Sequence, residues 1–174
     1  MRILDPRNAL RELGVYGAQH VVDLGAGAGH FALLAAERLE GGRLFAVDLE
    51  RDMLARLVSE AESRGHKNVH VLWGDASRVA GVPLADAALD RAIAASVLFQ
   101  VDDRNGFVQE ARRLLRPGGK ILVVEWRTNA PGGPHPHHRI SAEVMTALFS
   151  RHGFTKESDI DAGDLQYGMI FVRP

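Results

Sequence analysis

Two patterns of apolar residues alternate along the chain. Short runs that are apolar at nearly every position are typical of strands buried on both faces of a sheet, whereas apolar residues recurring every three or four positions predict helices. The predicted strands cover residues 21–24, 44–47, 69–73, 89–95 and 121–125, and the predicted helices follow Asp5, cover Phe31 to Leu39, include Met53 to Ala61, cover Phe107 to Leu115 and follow Ser141. This alternation predicts an α/β fold with a parallel sheet and helices on both of its faces.

Several positions should define the limits and faces of these elements. Pro117-Gly118-Gly119 is expected to end the fourth helix and to precede the fifth strand, because glycine and proline interrupt helices. Met53 and Val144 are expected on the apolar faces of their helices.

The end of the chain departs from the alternation. Residues 154–160 and 165–172 resemble strands, and only Asp161 to Asp164 separate them. A connection of this length suits a hairpin and is too short for a crossover between parallel strands. The last strand is therefore predicted to run antiparallel, and residues 1–174 are expected to form one domain, since no linker or repeat divides them.

Composition narrows the classes of function. The 174 residues are 46% apolar and 25% charged, with a net charge of −1 and no cysteine. Without a basic field, nucleic acid is not expected as a partner. No signal sequence and no run of about 20 apolar residues is present, so a cytoplasmic protein without a membrane span is expected. The lack of cysteine excludes thiol nucleophiles and thiolate zinc sites.

A glycine-rich turn follows the first predicted strand. Gly25, Gly27 and Gly29 occupy alternate positions after Asp23. Glycines at such a turn allow close approach of backbone to a ligand, and the amides of the following helix attract negative charge. A dinucleotide-binding turn would have its third glycine at position 30, where this chain has His30.

Acidic residues stand at or near the ends of the first three strands. Asp48 closes the second strand 23 residues after Gly25, a spacing at which a carboxylate reaches ribose hydroxyls. Asp75 follows the third strand, and Asp23 lies in the first. Because the carboxyl ends of parallel strands share one edge, the three acids predict a nucleoside site there.

With these motifs the chain resembles the class I S-adenosylmethionine-dependent methyltransferases, in particular the small-molecule branch of ubiquinone and menaquinone methyltransferases. The resemblance rests on Val22 to Gly29, Val47-Asp48, Gly74 to Ala76, Leu114 to Lys120, Gly153-Phe154 and the final hairpin. It implies a Rossmann-like sheet of seven strands in the order 3-2-1-4-5-7-6, with strand 7 antiparallel. It also implies S-adenosyl-L-methionine as cofactor.

The resemblance further assigns residues to that cofactor. The glycines would pass beneath its methionine portion, Asp23 would lie near the ammonium group, Asp48 would take the ribose hydroxyls, and Asp75 would read the adenine. The full set that it implies is Asp23, Gly25, Ala26, Gly27, Gly29, Asp48, Leu49, Gly74, Asp75, Ala76, Ala95 and Ser96. Acidic and neutral residues suit a ligand with a sulfonium, an ammonium and no phosphate.

The sequence does not identify a single catalytic residue. Methyl transfer needs chiefly an aligned acceptor and the exclusion of water, and it needs a general base only if the acceptor is protonated. Candidates for that base are His135 and His137 in a Pro/Gly/His loop, and Glu125 at the end of the fifth strand. The alternative is that this loop is solvated and inert. No metal is expected, since no clear carboxylate partner stands among the histidines.

Other functions remain in view at this point. A nicotinamide-dependent oxidoreductase shares the strand, turn and ribose acid, and a methyltransferase-like binding module without turnover shares all the motifs. Residues 94–99 lack the Asn/Asp-Pro-Pro-Tyr string of methyltransferases that act on amino groups of nucleic acids. The absence of cysteine excludes cytosine-carbon and arsenic methylases.

The acceptor side is expected to be open. The first strand starts near residue 20, which leaves little preceding chain for a helical lid. A small-molecule acceptor is expected, with a second subunit, a protein partner or a large acceptor completing the pocket, and with His135 to Arg139 ordering on contact.

Overall fold

The computed structural model describes residues 1–174 and contains one seven-stranded sheet. Its strands lie in the order β3-β2-β1-β4-β5-β7-β6. They are β1 His20–Leu24, β2 Arg43–Asp48, β3 Val69–Trp73, β4 Leu89–Ala95, β5 Leu115–Trp126, β6 Thr155–Ile160 and β7 Gln166–Val172. The pairs from β3 to β5 are parallel, and β7 runs antiparallel to both β5 and β6. The predicted fold class, strand order and reversed last strand are therefore confirmed.

Five helices accompany the sheet. They are α1 Pro6–Leu13, α2 His30–Ala36, α3 Arg51–Ser63, α4 Arg104–Leu114 and α5 Ala142–Arg151, with short 3₁₀ turns at Leu98–Gln100 and Pro136–His138. The Asp5 carboxylate accepts from the Arg7 amide and the Ser141 hydroxyl from the Val144 amide, so both residues cap their helices as predicted. The longest of these helices, α3, has 13 residues, and none is long and apolar enough to span a bilayer.

Two apolar clusters cover the two faces of the sheet. Leu10 of α1, Phe31 of α2 and Leu57 of α3 belong to one cluster. Phe107 of α4 and Phe149 of α5 belong to the other. Helices thus pack on both faces, as predicted. No helix lies between β3 and β4, so the connection from residue 74 to residue 88 needs another means of support.

Some predicted limits and faces are wrong. Helix α2 ends at Ala36 and not at Leu39. Strand β5 begins at Leu115 and includes Pro117-Gly118-Gly119, because Gly118 donates to the Arg173 carbonyl and Arg173 donates to the Gly119 carbonyl. This pairing with the chain end extends the strand through residues that otherwise favour a turn.

Two residues that were predicted on the apolar faces of their helices are exposed at the edges of those faces. Val144 is 59% exposed and Met53 is 37% exposed. In α5 and α3 the residues just after them, Met145 and Leu54, are buried. Neighbouring residues of a helix point about 100° apart, so the residue next to a buried one can face solvent.

Candidate functional site

A cleft of about 670 Å³ opens at the carboxyl edge of the sheet. Residues after β1, β2, β3 and β4 line it, together with the first turn of α4. Six of the twelve residues predicted to bind cofactor are among them: Gly25, Asp48, Leu49, Gly74, Asp75 and Ala76. The other six lie outside this lining: Asp23, Ala26, Gly27, Gly29, Ala95 and Ser96.

The three glycines of the turn have different surroundings, although all have positive φ. A Cβ atom at Gly25 would lie 2.4 Å from Val97, and one at Gly29 would lie 2.9 Å from Leu57. A Cβ atom at Gly27, where φ is +52°, would meet nothing within 4 Å. Packing therefore demands the first and third glycines, whereas the middle one leaves a patch of bare backbone facing open space.

Asp48 joins the glycine turn to the start of α3. One carboxylate oxygen accepts from the Gly27 amide at 2.8 Å, and the other accepts from the Glu50 amide at 2.9 Å. The amides of Gly25 and Ala26 also donate to the Val47 carbonyl, which fastens the turn to β2. Each carboxylate oxygen has lone pairs beyond these bonds, so Asp48 can still accept from ligand hydroxyls at the cleft.

Asp23 is buried beside the turn, with 3% of its surface exposed. Burial raises the pKa of its carboxyl, the Ala32 amide in the first turn of α2 opposes the rise, and the nearby charge of Asp48 adds to it, so that the pKa is about 7. A cation near this group would favour its ionised form. The carboxyl does not itself line the cleft.

The carboxylate of Asp75 is held by its own loop. It accepts from the Ser77 amide at 3.0 Å and from the Ser77 hydroxyl at 2.6 Å, and it pairs with Arg78 at 3.3 Å. These bonds fix the residues that follow β3 as one wall of the cleft. Beside it, the exposed Trp73 donates to the Leu49 carbonyl at 3.0 Å.

Ser96 lies at the end of β4 with φ of +54°, an uncommon conformation for a residue other than glycine. Its amide donates to the Val124 carbonyl at 2.8 Å, and its hydroxyl accepts from the Gln166 side chain at 2.9 Å. Gln166 was not predicted as part of the site, because its 70-residue separation from Ser96 carries no local signal.

Glu125 lies beneath the turn that follows β4. It is 1% exposed, and one oxygen accepts from the amides of Leu98 at 2.7 Å and Phe99 at 3.3 Å. Burial raises the pKa of its carboxyl to about 7, and the amides that bond to it oppose the rise. This geometry supports the turn, and a role of Glu125 as general base stays a prediction.

The loop that carries the histidines is folded around Arg139. Its guanidinium donates to five carbonyls, those of Arg127, Thr128, Ala130, Gly132 and Pro134, at 2.7–3.3 Å. The histidine rings are exposed, and two of them, His135 and His137, stack with centroids 5.0 Å apart. The loop therefore has internal support, and the expectation that His135 to Arg139 order on contact stays a prediction.

A second hollow of about 360 Å³ adjoins the cleft. Its lining residues are Phe99, Gln100, Val101, Asp102, Arg104 and His138, and three of them, Gln100, Val101 and Asp102, also line the cleft. Arg104 donates to the carbonyls of Leu98 at 3.0 Å and His138 at 3.3 Å, so it ties the histidine loop to the turn after β4.

Comparison with known proteins agrees with this architecture. A crystal structure of a SAM dependent methyltransferase from Aquifex aeolicus superposes with a TM-score of 0.90, covering 99% of this chain and 91% of that one at 22% identity. The strand order with a reversed β7 and the glycine turn define the class I S-adenosylmethionine-dependent methyltransferase fold. The chain belongs to the methyltransferase domain family, whose model matches residues 22–123.

The chain spans about half the length of the curated relatives that it matches. The ubiquinone/menaquinone biosynthesis C-methyltransferase UbiE of Paracoccus denitrificans is 33% identical over 110 residues, which cover 62% of this chain and 42% of that protein. UbiE of Rubrivivax gelatinosus is 32% identical over 126 residues, which cover 71% and 46%. Each match spans less than half of the UbiE protein concerned.

Proposed function

We propose that this chain transfers a methyl group from S-adenosylmethionine to a small-molecule acceptor. The observation that carries the proposal is the bond from the Gly27 amide to Asp48, which joins the glycine turn and the acid at the end of β2 into one unit beside the cleft. Membership of the methyltransferase domain family supports the same reaction.

The charges of the cleft fit this cofactor. Its lining contains five carboxylates, those of Asp48, Glu50, Asp75, Asp102 and Asp103, and one guanidinium, that of Arg78. Arg78 is itself paired with Asp75 at 3.3 Å. An acidic lining favours a ligand that carries a sulfonium and an ammonium, and it disfavours the pyrophosphate of a nicotinamide dinucleotide.

The bound cofactor supplies an electrophilic methyl group on a positively charged sulfur. In our proposal Asp48 binds the ribose hydroxyls through the lone pairs that the Gly27 and Glu50 amides leave free. Leu49 flanks the adenine, Asp75 and Ala76 bind its edge, and the bare backbone at Gly27 faces the methionine portion. Asp23, buried behind the turn, stabilises the positive end of the ligand.

The acceptor is proposed to enter through the second hollow, because that hollow continues the cleft past Gln100 to Asp102. Arg104 and His138 give it polar groups, and Phe99 gives it an aromatic surface. If the acceptor must lose a proton, the candidate bases are His135 and His137 on the adjoining loop and Glu125 beneath the turn that follows β4. We also predict that a second subunit or a protein partner closes the acceptor side of the cleft, and solution scattering tests for a dimer. A cytoplasmic location is a separate prediction.

Calorimetry with S-adenosylhomocysteine and with NAD tests the cofactor. We expect the first ligand to bind and the second to show no binding. Asp48→Ala should weaken S-adenosylhomocysteine binding by about 1–3 kcal/mol, because hydrogen bonds to a charged acceptor are lost. Asp52→Ala, at an exposed acid in the first turn of α3, is the matched control and should leave the affinity unchanged. An unchanged affinity in Asp48→Ala would remove that residue from the site.

A screen of small metabolites with methyl-labelled S-adenosylmethionine tests turnover. Transfer of label that Asp48→Ala reduces and Asp52→Ala preserves would identify the acceptor. Tight binding of S-adenosylhomocysteine with no transfer to any acceptor would instead favour a binding module without turnover.

A further inference from the structure

A carboxylate outside the cleft is buried on α4. Glu110 has no exposed surface and accepts four hydrogen bonds. Two come from the amides of Ala80 at 2.8 Å and Val82 at 2.9 Å, and two come from the guanidinium of Arg113, both at 2.8 Å. A buried carboxylate that loses its partners strongly destabilises the fold. The folded state therefore keeps these amides and this guanidinium next to Glu110.

Arg113 extends the same contacts along the connection between β3 and β4. It donates to the carbonyls of Val82 at 3.0 Å and Leu84 at 2.8 Å, and it pairs with Asp86 at 2.6 Å. Residues 80–86 are therefore fastened to α4 by one buried ion pair. This replaces the support that a helix would give to a connection without secondary structure.

The fastened segment supports the wall of the cleft. The Asp75 amide donates to the Gly81 carbonyl at 3.1 Å, and the Gly81 amide donates to the Arg78 carbonyl at 2.9 Å. A Cβ atom at Gly81 would lie 2.1 Å from the Asp75 carbonyl oxygen, so the two backbones touch. Gly81 lies between the two residues whose amides Glu110 binds.

Helix α4 also touches this wall directly. A Cβ atom at Gly106 would lie 2.1 Å from the Ser77 carbonyl oxygen. Residues 75–78, which line the cleft, are thus packed between Gly106 on one side and Gly81 on the other.

We propose that Glu110 is a positioning residue, which through Ala80 and Val82 sets the place of residues 75–78 at the cleft. It touches no ligand. Its effect on cofactor affinity rests on the proposed function, in which Asp75 and Ala76 bind the adenine. In Glu110→Gln an amide group faces backbone and guanidinium donors, so the segment moves away from α4 and takes Gly81 and the wall with it.

Asp90 offers a matched control at the opposite edge of the sheet. Its carboxylate accepts from the His20 amide at 2.8 Å and pairs with Arg116 at 2.6 Å, so it also binds an amide and a guanidinium, at a partly exposed position without contact to the cleft. Asp90→Asn should therefore lower stability without moving residues 75–78.

The test compares both variants with the unaltered chain in two measurements. Titration of S-adenosylhomocysteine, at a temperature where all three proteins are folded, should show Kd raised roughly tenfold in Glu110→Gln. In Asp90→Asn the Kd should stay within about twofold. Hydrogen exchange of the free proteins should show faster exchange of amides 75–84 in Glu110→Gln and not in Asp90→Asn.

Equal affinity and equal exchange in Glu110→Gln and the unaltered chain would overturn the inference. Failure of the unaltered chain to bind S-adenosylhomocysteine would overturn the proposed function, and the exchange measurement alone would then decide whether Glu110 positions the wall. If Glu110→Gln does not fold, Arg113→Lys takes its place, since lysine keeps the charge and loses the two-pronged contact. The expected changes are smaller and in the same direction.

Discussion

At the scale of single residues, the glycines of the turn look alike in the sequence and differ in the space around them. Gly25 and Gly29 have no room for a side chain because Val97 and Leu57 pack against them. Gly27 has room, and its amide is bonded to Asp48. Packing therefore requires glycine at positions 25 and 29, whereas at Gly27 only the positive φ favours it. In the proposed function the open space at Gly27 is where the methionine portion of the cofactor lies.

Gly27→Ala is expected to fold with a loss of about 1 kcal/mol, since φ of +52° strains an alanine and no atom lies near its Cβ. The added methyl group would occupy the open space in which, in the proposed function, the methionine portion of the ligand lies. S-adenosylhomocysteine affinity should therefore fall roughly tenfold or more. Urea unfolding and calorimetry measure the two effects. Gly25→Ala is the comparison variant. Its Cβ would lie 2.4 Å from Val97, so this substitution should chiefly reduce stability. Normal affinity in Gly27→Ala would place the ligand elsewhere.

At the scale of elements, the histidine loop depends on one side chain. The guanidinium of Arg139 donates to five carbonyls and has no carboxylate partner among its contacts. Gly133 packs against Trp126, since a Cβ there would lie 2.3 Å from the indole. The loop is therefore a ring of carbonyls closed around a cation and seated on an aromatic ring.

Arg139→Lys should open this loop, because an ammonium offers three donors and lacks the planar fork. We expect a loss of about 1–2 kcal/mol in stability and faster hydrogen exchange of residues 127–139. Binding of S-adenosylhomocysteine should stay unchanged, because no residue of the loop lines the cleft. Unaltered protection of the loop in Arg139→Lys would show that its fold does not depend on the guanidinium.

At the scale of the whole molecule, two buried acids link stability to pH. Burial raises the pKa of Asp23 from 3.8 to about 7 and that of Glu125 from 4.5 to about 7. At a pH between the ordinary pKa and the raised pKa, each carboxyl holds a proton in the folded chain and has released it in the unfolded chain. The contribution of both groups to stability therefore falls as pH rises from about 4 to 7 and is constant above that range.

Glu125→Gln isolates one of these groups, because glutamine keeps an oxygen for the Leu98 amide and does not ionise. At pH 5 the unaltered chain has a neutral Glu125, whereas at pH 8 it has a buried charge. The stability of Glu125→Gln relative to the unaltered chain should thus increase from pH 5 to pH 8 in urea unfolding. A constant difference across this range would show that Glu125 titrates at its ordinary pKa.

Much of the fold could be predicted because its signals are local. Asp5 and Ser141 cap helices with their own side chains, and the short connection between β6 and β7 favours a hairpin by its length alone. The limits of β5 could not be predicted, because the pairing of Gly118 and Gly119 with Arg173 overrides the local preference for a turn. The exposure of Val144 depends on how α5 packs, which its sequence pattern does not state to within one residue.

The sequence by itself determined the alternation of strands and helices, the glycine turn and the acids at the strand ends, since each is written in neighbouring residues. Parallel strands then bring Asp48 and Asp75 to one edge, because their carboxyl ends point the same way. The tertiary structure alone decided that Asp48 binds the Gly27 amide, that Glu125 lies buried under a turn and that Glu110 fastens a loop 28–30 residues away. Those contacts join distant parts of the chain, so they exist only once the helices have packed on the sheet.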